Sequence, residues 1–335
     1  AGCCELASKI IFQSLAETAE MKLNKVHPDY QSSARWIPAL LYHWPPVRML
    51  VNALVKLIPP FKGDASTTVR WAAHGSSRSK IYLPASPASD AALLWIHGGG
   101  YLCFSANTDD ATCRRIVDAL GIAVVSVDYR LAPQSAFPAA LDDCVASWEW
   151  LQQHSVELGV DPQRIVVAGE SAGGGLAATL AQRLLDEGGP QPVAQWLLAP
   201  MLDDRTATRE DLTAEQHFVW NNRNNWGGWQ RYLGQDPGLP EAPTHAVASR
   251  RESLAGLPET FLAIGDLDLF YEECVSYAER LQSDGVACEL FVTEGGVHGM
   301  ETLLPASSPG RLHWDAVFAF LRRKMDLNQG RSTPN

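Results

Sequence analysis

The chain has 335 residues, 46% of them hydrophobic, a formal net charge of −11 and a pI near 5.3. That supply of apolar side chains supports one large core with material left for a lid. The acidic balance argues against nucleic acid as a partner, since phosphate binding needs clustered Lys and Arg, and disfavours an anionic membrane face.

In chain order, Cys3 to about Met21 reads as a helix with Leu6, Ile10, Ile11 and Leu15 on one side. From Val26 to Phe61 the chain is rich in proline and aromatics, too apolar for a solvated linker and expected to pack over something. Its most apolar run, Met49 to Ile58, is interrupted by Asn52 and Lys56 and closed by Pro59-Pro60, so no membrane insertion is expected. Strands around Trp71 and over Ser79–Leu83, with a turn at Gly75 and Ser76, predict a hairpin.

Strand and helix patterns then alternate. Strands are expected at Ala92–Ile96, Ile122–Val127, Ile165–Ala168, Val193–Leu198, Phe261–Ile264 and Glu289–Val292. Helices are expected near Ala111–Leu120, Ala139–Gln153, Gly173–Glu187, Tyr271–Ser283 and Arg311–Met325. Short, continuously apolar strands between helices call for a mostly parallel sheet covered on both faces. The rhythm breaks between Met201 and Arg250, where Phe218, Trp220, Trp226, Trp229 and Tyr232 stand among Asn and Gly. Such an insertion is most simply a cap over the carboxyl ends of the strands, where open α/β sheets bind ligands.

Seven cysteines (Cys3, Cys4, Cys103, Cys113, Cys144, Cys274, Cys288) contain no C-x-x-C pair. Neither a zinc ribbon nor a thioredoxin motif is expected, and free thiols of a cytoplasmic protein are. The first residues show no basic-then-apolar signal, although a start at Ala is compatible with earlier processing.

The chemistry concentrates around Arg164 to Gly175, R-I-V-V-A-G-E-S-A-G-G-G. A β-branched strand running into Gly169-Glu170-Ser171-Ala172-Gly173 and then a helix is the setting of a nucleophile elbow. Upstream, Ala92–Ile96 runs into His97-Gly98-Gly99-Gly100-Tyr101, whose bare main-chain N–H groups, with that of Ala172, fit an oxyanion hole. A phosphate loop is the competing idea, but no G-K-[ST] follows.

Among nine histidines, His298 stands in a glycine-rich loop after the last expected strand and is the candidate base. His97 more plausibly buttresses the glycine loop through backbone hydrogen bonds. The acid should follow a strand end between serine and histidine. Asp266 and Asp268 compete for that role, while Asp203 and Asp204 read as turn or cap-hinge residues.

Taken in order, His97-Gly98-Gly99-Gly100, Asp128-Tyr129-Arg130-Leu131-Ala132-Pro133, Phe137-Pro138-Ala139-Ala140, Gly169-Glu170-Ser171-Ala172-Gly173-Gly174, Gly265-Asp266-Leu267-Asp268-Leu269-Phe270 and His298-Gly299 span most of the chain. On these motifs it resembles the hormone-sensitive-lipase family of α/β-hydrolase carboxylesterases. The resemblance implies an α/β-hydrolase fold: a mostly parallel eight-stranded sheet, helices on both faces and a helical cap. It implies Ser171 as nucleophile, Asp268 rather than Asp266 as acid, His298 as base, and Gly99, Gly100 and Ala172 at the oxyanion.

It also implies a cap built from 1–60 and 201–250, a core of 61–200 and 251–325, and a tail of 326–335. The expected substrate is a small-molecule ester of short to medium acyl chain. No cofactor, no metal and no nucleic-acid partner are expected, and a homodimer is allowed. Lactone or amide hydrolysis would use the same groups. A small-molecule receptor is the rival from another class, as in a plant hormone receptor of this architecture that has lost the histidine. Two positions depart from the family pattern: Glu170, where Asp is common, and Gln134, where Glu is common.

Overall fold

The computed structural model describes residues 23–36, 44–214 and 217–327. The helix expected over Cys3–Met21, both N-terminal cysteines and most of the expected tail lie outside them.

Eight strands form one sheet: β1 (Thr67–His74), β2 (Ser77–Pro84), β3 (Ala92–Ile96), β4 (Ala123–Asp128), β5 (Ile165–Glu170), β6 (Ala194–Leu198), β7 (Glu259–Gly265) and β8 (Cys288–Thr293). Their spatial order is β1-β2-β4-β3-β5-β6-β7-β8. The first three in space pair antiparallel and every other neighbour is parallel. Every side chain of β3 and β6 is buried, which requires cover on both faces.

Side-chain alternation shows how that cover is divided. Leu94 and Ile96 point with Val125, Val167 and Leu262 into a core under the helices Ala139–Gln153, Ala172–Asp186 and Tyr271–Ser283. Leu93 and Trp95 point the other way, with Val166, Trp196 and Phe261, toward the helices Asp110–Leu120 and Ser308–Lys324. A one-residue slip would exchange the two sets, so register is fixed by burial on both sides. Lys80, wholly buried in β2, is tolerated because its ammonium meets Asp110 at 2.6 Å and Asn107 at 2.8 Å.

Between β6 and β7 the chain leaves the sheet, and the described residues there hold short helices and no strand: 3-10 turns at Asp204–Thr208 and Ala248–Arg250, and α-helices Glu210–Ala214 and Asn222–Leu233. The two ends of this excursion are clasped by Arg250, which donates to both oxygens of buried Asp204 at 2.7 and 2.9 Å. Asp203 caps the first turn by accepting from Arg205 N at 2.9 Å.

The proline-rich N-terminal stretch contains two helices, Pro28–Trp36 and Pro45–Val55. Proline suits the first turn of the second, where its missing N–H has no intrahelical acceptor to serve. Val26, Tyr30 and Ala34 bury against Val297 and Met300, and His27 N donates to Gly295 O at 2.9 Å. This stretch therefore packs on the loop that carries His298. Cys103, Cys113, Cys144, Cys274 and Cys288 are free thiols. Among the described residues no helix is long and apolar enough to cross a membrane.

Candidate active site

β5 ends at Glu170, and the helix Ala172–Asp186 starts one residue beyond Ser171. The bend leaves Ser171 at φ 56°, ψ −121°, a sparsely populated conformation that costs about 1–3 kcal/mol and persists only when its surroundings enforce it. They do: Ser171 N donates to Leu198 O at 2.8 Å, and Ser171 O accepts from Met201 N at 3.0 Å. The flanking glycines are obligatory. A Cβ on Gly169 would stand 2.3 Å from Gly173 O, and one on Gly173 would stand 2.1 Å from Ile96 O.

From the far end of the sheet, the loop after β8 brings His298 Nε2 to 3.0 Å from Ser171 Oγ. Its Nδ1 lies 2.7 Å from Asp268 Oδ2, on the turn after β7. A carboxylate only accepts, so Nδ1 carries the proton and Nε2 is left to accept from the serine hydroxyl. Asp268 is held in turn by Phe270 N, which donates to its Oδ1 at 3.0 Å. Burial alone would disfavour the imidazolium, but the Asp268 charge and hydrogen bond outweigh it and hold His298 above its ordinary value. Asp266 points elsewhere. Its carboxyl faces the backbone of Gly295 and Gly296, and burial pushes it above the usual carboxylate range. Of the two competing acids, only Asp268 touches the histidine.

The glycine loop after β3 curls into the same space. Gly99 (φ 107°) accepts from both Leu102 N and Cys103 N at 3.0 Å, and a Cβ there would stand 2.2 Å from Cys103 O. Gly100 (φ 60°) lies under the Trp220 ring, which leaves no room for a side chain. Ala172 is the first residue of its helix, so its N–H has no intrahelical acceptor. His97 serves the loop itself: its Nδ1 donates to Gly98 O at 2.8 Å and its ring stacks on Tyr129 at 4.1 Å. The Tyr129 hydroxyl donates to the carbonyls of His97 and Gly98 at 3.0 and 3.2 Å. Thus the Asp128–Pro133 motif works as a brace under the glycine loop.

Ser171, His298, Gly99 and Gly100 open on a cavity of about 610 Å³ whose walls include Phe104, Val219, Trp220 and Leu303. Glu170 also has a face on this cavity, yet desolvation pushes its carboxyl up to about 8, with the nearby Asp109 charge adding to the effect.

Three residues of this surround carry no sequence signal of their own. Trp220 is one aromatic among several in its segment. Thr302, whose hydroxyl donates to Glu170 Oε1 at 2.9 Å, belongs to no motif. Asn52 is visible in the sequence only as an interruption of an apolar run. Its Nδ2 donates to Leu102 O at 3.1 Å and its Oδ1 accepts from Phe104 N at 3.3 Å, tying an N-terminal helix to the glycine loop.

Sheet order, the strained serine between β5 and its helix, and the imidazole brought from beyond β8 define an α/β hydrolase. Comparison with known proteins agrees. The α/β-hydrolase-fold family model matches residues 93–302. Esterase LipI of Mycobacterium tuberculosis is 34% identical over 229 residues, 67% of this chain and 71% of that protein. Carboxylic ester hydrolase LipN of the same organism is 36% identical over 235 residues, 68% of this chain but only 62% of its own length. Among solved structures, bacterial heroin esterase superposes with a TM-score of 0.82 at 31% identity, covering 90% of this chain and 99% of that one. The chain belongs to the α/β-hydrolase family, in its hormone-sensitive-lipase-like branch of carboxylic ester hydrolases.

Proposed function

We propose that this chain is a serine carboxylesterase acting on esters of short to medium acyl chain through an acyl-enzyme. Ser171 Oγ attacks the ester carbonyl while His298 Nε2 takes its proton. Asp268 holds the imidazole in the required tautomer and offsets the charge that forms on it. The carbonyl oxygen, now anionic, accepts from the N–H groups of Gly99, Gly100 and Ala172, each such donor being worth about 3 kcal/mol in comparable enzymes. His298 then returns the proton to the departing alcohol. A water, deprotonated by the same nitrogen, attacks the acyl carbon and releases the acid and free Ser171.

The observation that carries this reading is the unbroken chain from Ser171 Oγ to His298 Nε2 (3.0 Å) and from His298 Nδ1 to Asp268 Oδ2 (2.7 Å), at the wall of a cavity. At about 610 Å³ that cavity lies within the range of about 300–1,000 Å³ typical for small-molecule sites. In this reading 61–200 and 251–325 are the hydrolase core. The described parts of 1–60 and 201–250 form the cap, with Trp220 and Val219 closing the cavity from that side.

A panel of p-nitrophenyl esters from acetate to palmitate, with a lactone and an anilide alongside, tests it. The expected result is the highest kcat/KM among the shorter acyl chains and a fall toward palmitate. A rate that climbs through palmitate overturns the size limit. Turnover of none of the panel, with tight binding of a small ligand retained, overturns the esterase in favour of a receptor.

A further inference from the structure

The cavity beside Ser171 carries more acid than ester hydrolysis asks for. In β3, Trp95 stands opposite Ala168 of β5, and both point toward the helices Asp110–Leu120 and Ser308–Lys324. Glu170 lies two positions past Ala168 in the same strand and so falls on the same face of the sheet. Asp109 reaches that face from the start of the helix Asp110–Leu120, where its Oδ2 accepts from Trp95 Nε1 at 2.6 Å. Asp109 and Glu170 both line the cavity, and both keep part of their surface accessible. Strand register and a hydrogen bond therefore set two acidic residues on the wall of the space that a substrate must enter.

Among the described residues that line the cavity there is no lysine or arginine, and buried Lys80 is spent on Asp110, one position past Asp109. Burial, and then the Asp109 charge, push Glu170 up to about 8, and burial raises Asp109 above the usual carboxylate range. Two further titratable groups act on Glu170: His298, which favours its ionised form, and Glu301, which opposes it. Two aromatic rings share the cavity. A Cβ on Gly99 would stand 2.9 Å from Phe104 Cδ2, and one on Gly100 would stand 2.2 Å from Trp220 Cη2, so both rings lie against the glycine loop. Carboxylates and aromatic rings in one cavity suit an ammonium group, which is drawn by the charge and by the ring faces without needing a hydrogen bond. An anionic substrate would meet repulsion there.

We propose that Asp109 and Glu170 form an ammonium subsite of the Ser171 cavity, with Phe104 and Trp220 as its apolar walls, so that the preferred substrates are small esters carrying an ammonium group on the alcohol or the acyl part. The preference among esters rests on the esterase reading; binding of the cation does not.

Two matched pairs of esters, followed by pH-stat, measure the preference: acetylcholine against 3,3-dimethylbutyl acetate, and ethyl 4-(trimethylammonio)butanoate against ethyl 5,5-dimethylhexanoate. Within each pair a charged nitrogen replaces a carbon and the shape is kept. The expected result is a kcat/KM about tenfold higher for the cationic member of at least one pair, the worth of one charge-assisted contact. The first pair responds if the ammonium belongs on the alcohol, the second if it belongs on the acyl chain. Asp109→Asn, which keeps an acceptor for Trp95, should bring that ratio close to one. Wild-type ratios near one in both pairs, or a ratio unchanged in the variant, overturn the proposal.

Thermal unfolding in rising choline chloride, with sodium chloride holding the ionic strength, reads the subsite without any use of activity. The wild-type Tm should rise and saturate, and that of Asp109→Asn should stay flat. Between about pH 7 and 9 the wild-type response should grow, and by more than in Glu170→Gln, because Glu170 ionises in that interval while any loss of charge on His298 is common to both proteins. That comparison decides the matter where Asp109→Asn fails to fold. A flat wild-type titration, the same rise in Asp109→Asn, or equal growth with pH in Glu170→Gln overturns the proposal. Hydrolysis of the neutral esters without a choline response would sink the subsite alone. A choline response with none of the four esters hydrolysed would sink the esterase reading and leave the subsite standing.

Discussion

The Thr302 hydroxyl donates a hydrogen bond to Glu170 Oε1 at 2.9 Å, tying the residue before Ser171 to the helical turn just after His298. Gly299 lies in the same contact: a Cβ on it would stand 3.0 Å from that oxygen. The two loops that must meet for Ser171 and His298 to touch are thus fastened through the side chain of Glu170, a residue that also lines the cavity.

Burial pushes the Glu170 carboxyl up to about 8, so at neutral pH it is mostly uncharged. Glu170→Gln is then close to an isostere of the working form and should change kcat/KM little at pH 7. Above about pH 8 the wild-type carboxyl ionises on the wall of the same cavity, and its charge opposes the negative charge that develops on the substrate oxygen. The pH–rate profile should therefore decline on the alkaline side in the wild type, and that decline should be absent in Glu170→Gln. Identical alkaline limbs would show that Glu170 does not titrate there.

The acid limb belongs to His298. Its imidazole must be neutral to accept the serine proton, and the Asp268 charge, overcoming burial, holds it above its ordinary value of about 6.5. Protonation on acidification therefore begins sooner than for a free histidine, and kcat/KM should be half lost at a pH above about 6.5. A rate that stays flat to about pH 4 is incompatible with an imidazole base.

Asp268 and Asp266 are two residues apart, but only Asp268 reaches Nδ1 of His298, at 2.7 Å. Asp268→Asn should lower kcat by about 10³- to 10⁴-fold by favouring the wrong tautomer, as in comparable triads. Asp266→Asn should leave kcat within a few-fold of the wild type. Steady-state kinetics on an activated ester with both variants decides the matter, and the reverse ranking would transfer the role to Asp266.

Asn52 holds the glycine loop from outside through Leu102 O and Phe104 N. Asn52→Leu deletes both bonds, at a cost of about 1–3 kcal/mol. The expected outcome is a lower Tm together with a raised KM, since the loop it anchors lines the cavity. An unchanged KM would mean that the loop keeps its shape without its tie to the helix Pro45–Val55.

How much of this could be read from the sequence follows from how local each signal is. The elbow's motif is contiguous: glycine 169 is demanded by its contact with Gly173 O within a single strand–turn–helix unit, glycine 173 by Ile96 O on the neighbouring β3, and the β-branched run Ile165–Val167 announces the strand. His298 stands out by its glycine neighbours. The choice between Asp266 and Asp268 is not local, because it depends on which side of the turn after β7 faces the loop from β8. On the sequence, only family resemblance separates the two. The helix Asn222–Leu233 was hidden because Asn and Gly are poor helix formers. It persists through tertiary burial, with Asn222 donating to Ala207 O and Arg209 O from inside the segment. The Thr302–Glu170 and Asn52–loop contacts join residues 132 and about 50 positions apart, and no periodicity marks such pairs.

The central claim, that Ser171 is a nucleophile activated by His298, is tested most directly by covalent capture. The protein is treated with a fluorophosphonate and its peptides are mapped by mass spectrometry, for the wild type and for His298→Ala. The account predicts one adduct, on Ser171, formed quickly in the wild type, slower by orders of magnitude in the variant, and lost together with ester hydrolysis. An adduct on another residue, or full esterase activity surviving in Ser171→Ala, would contradict it.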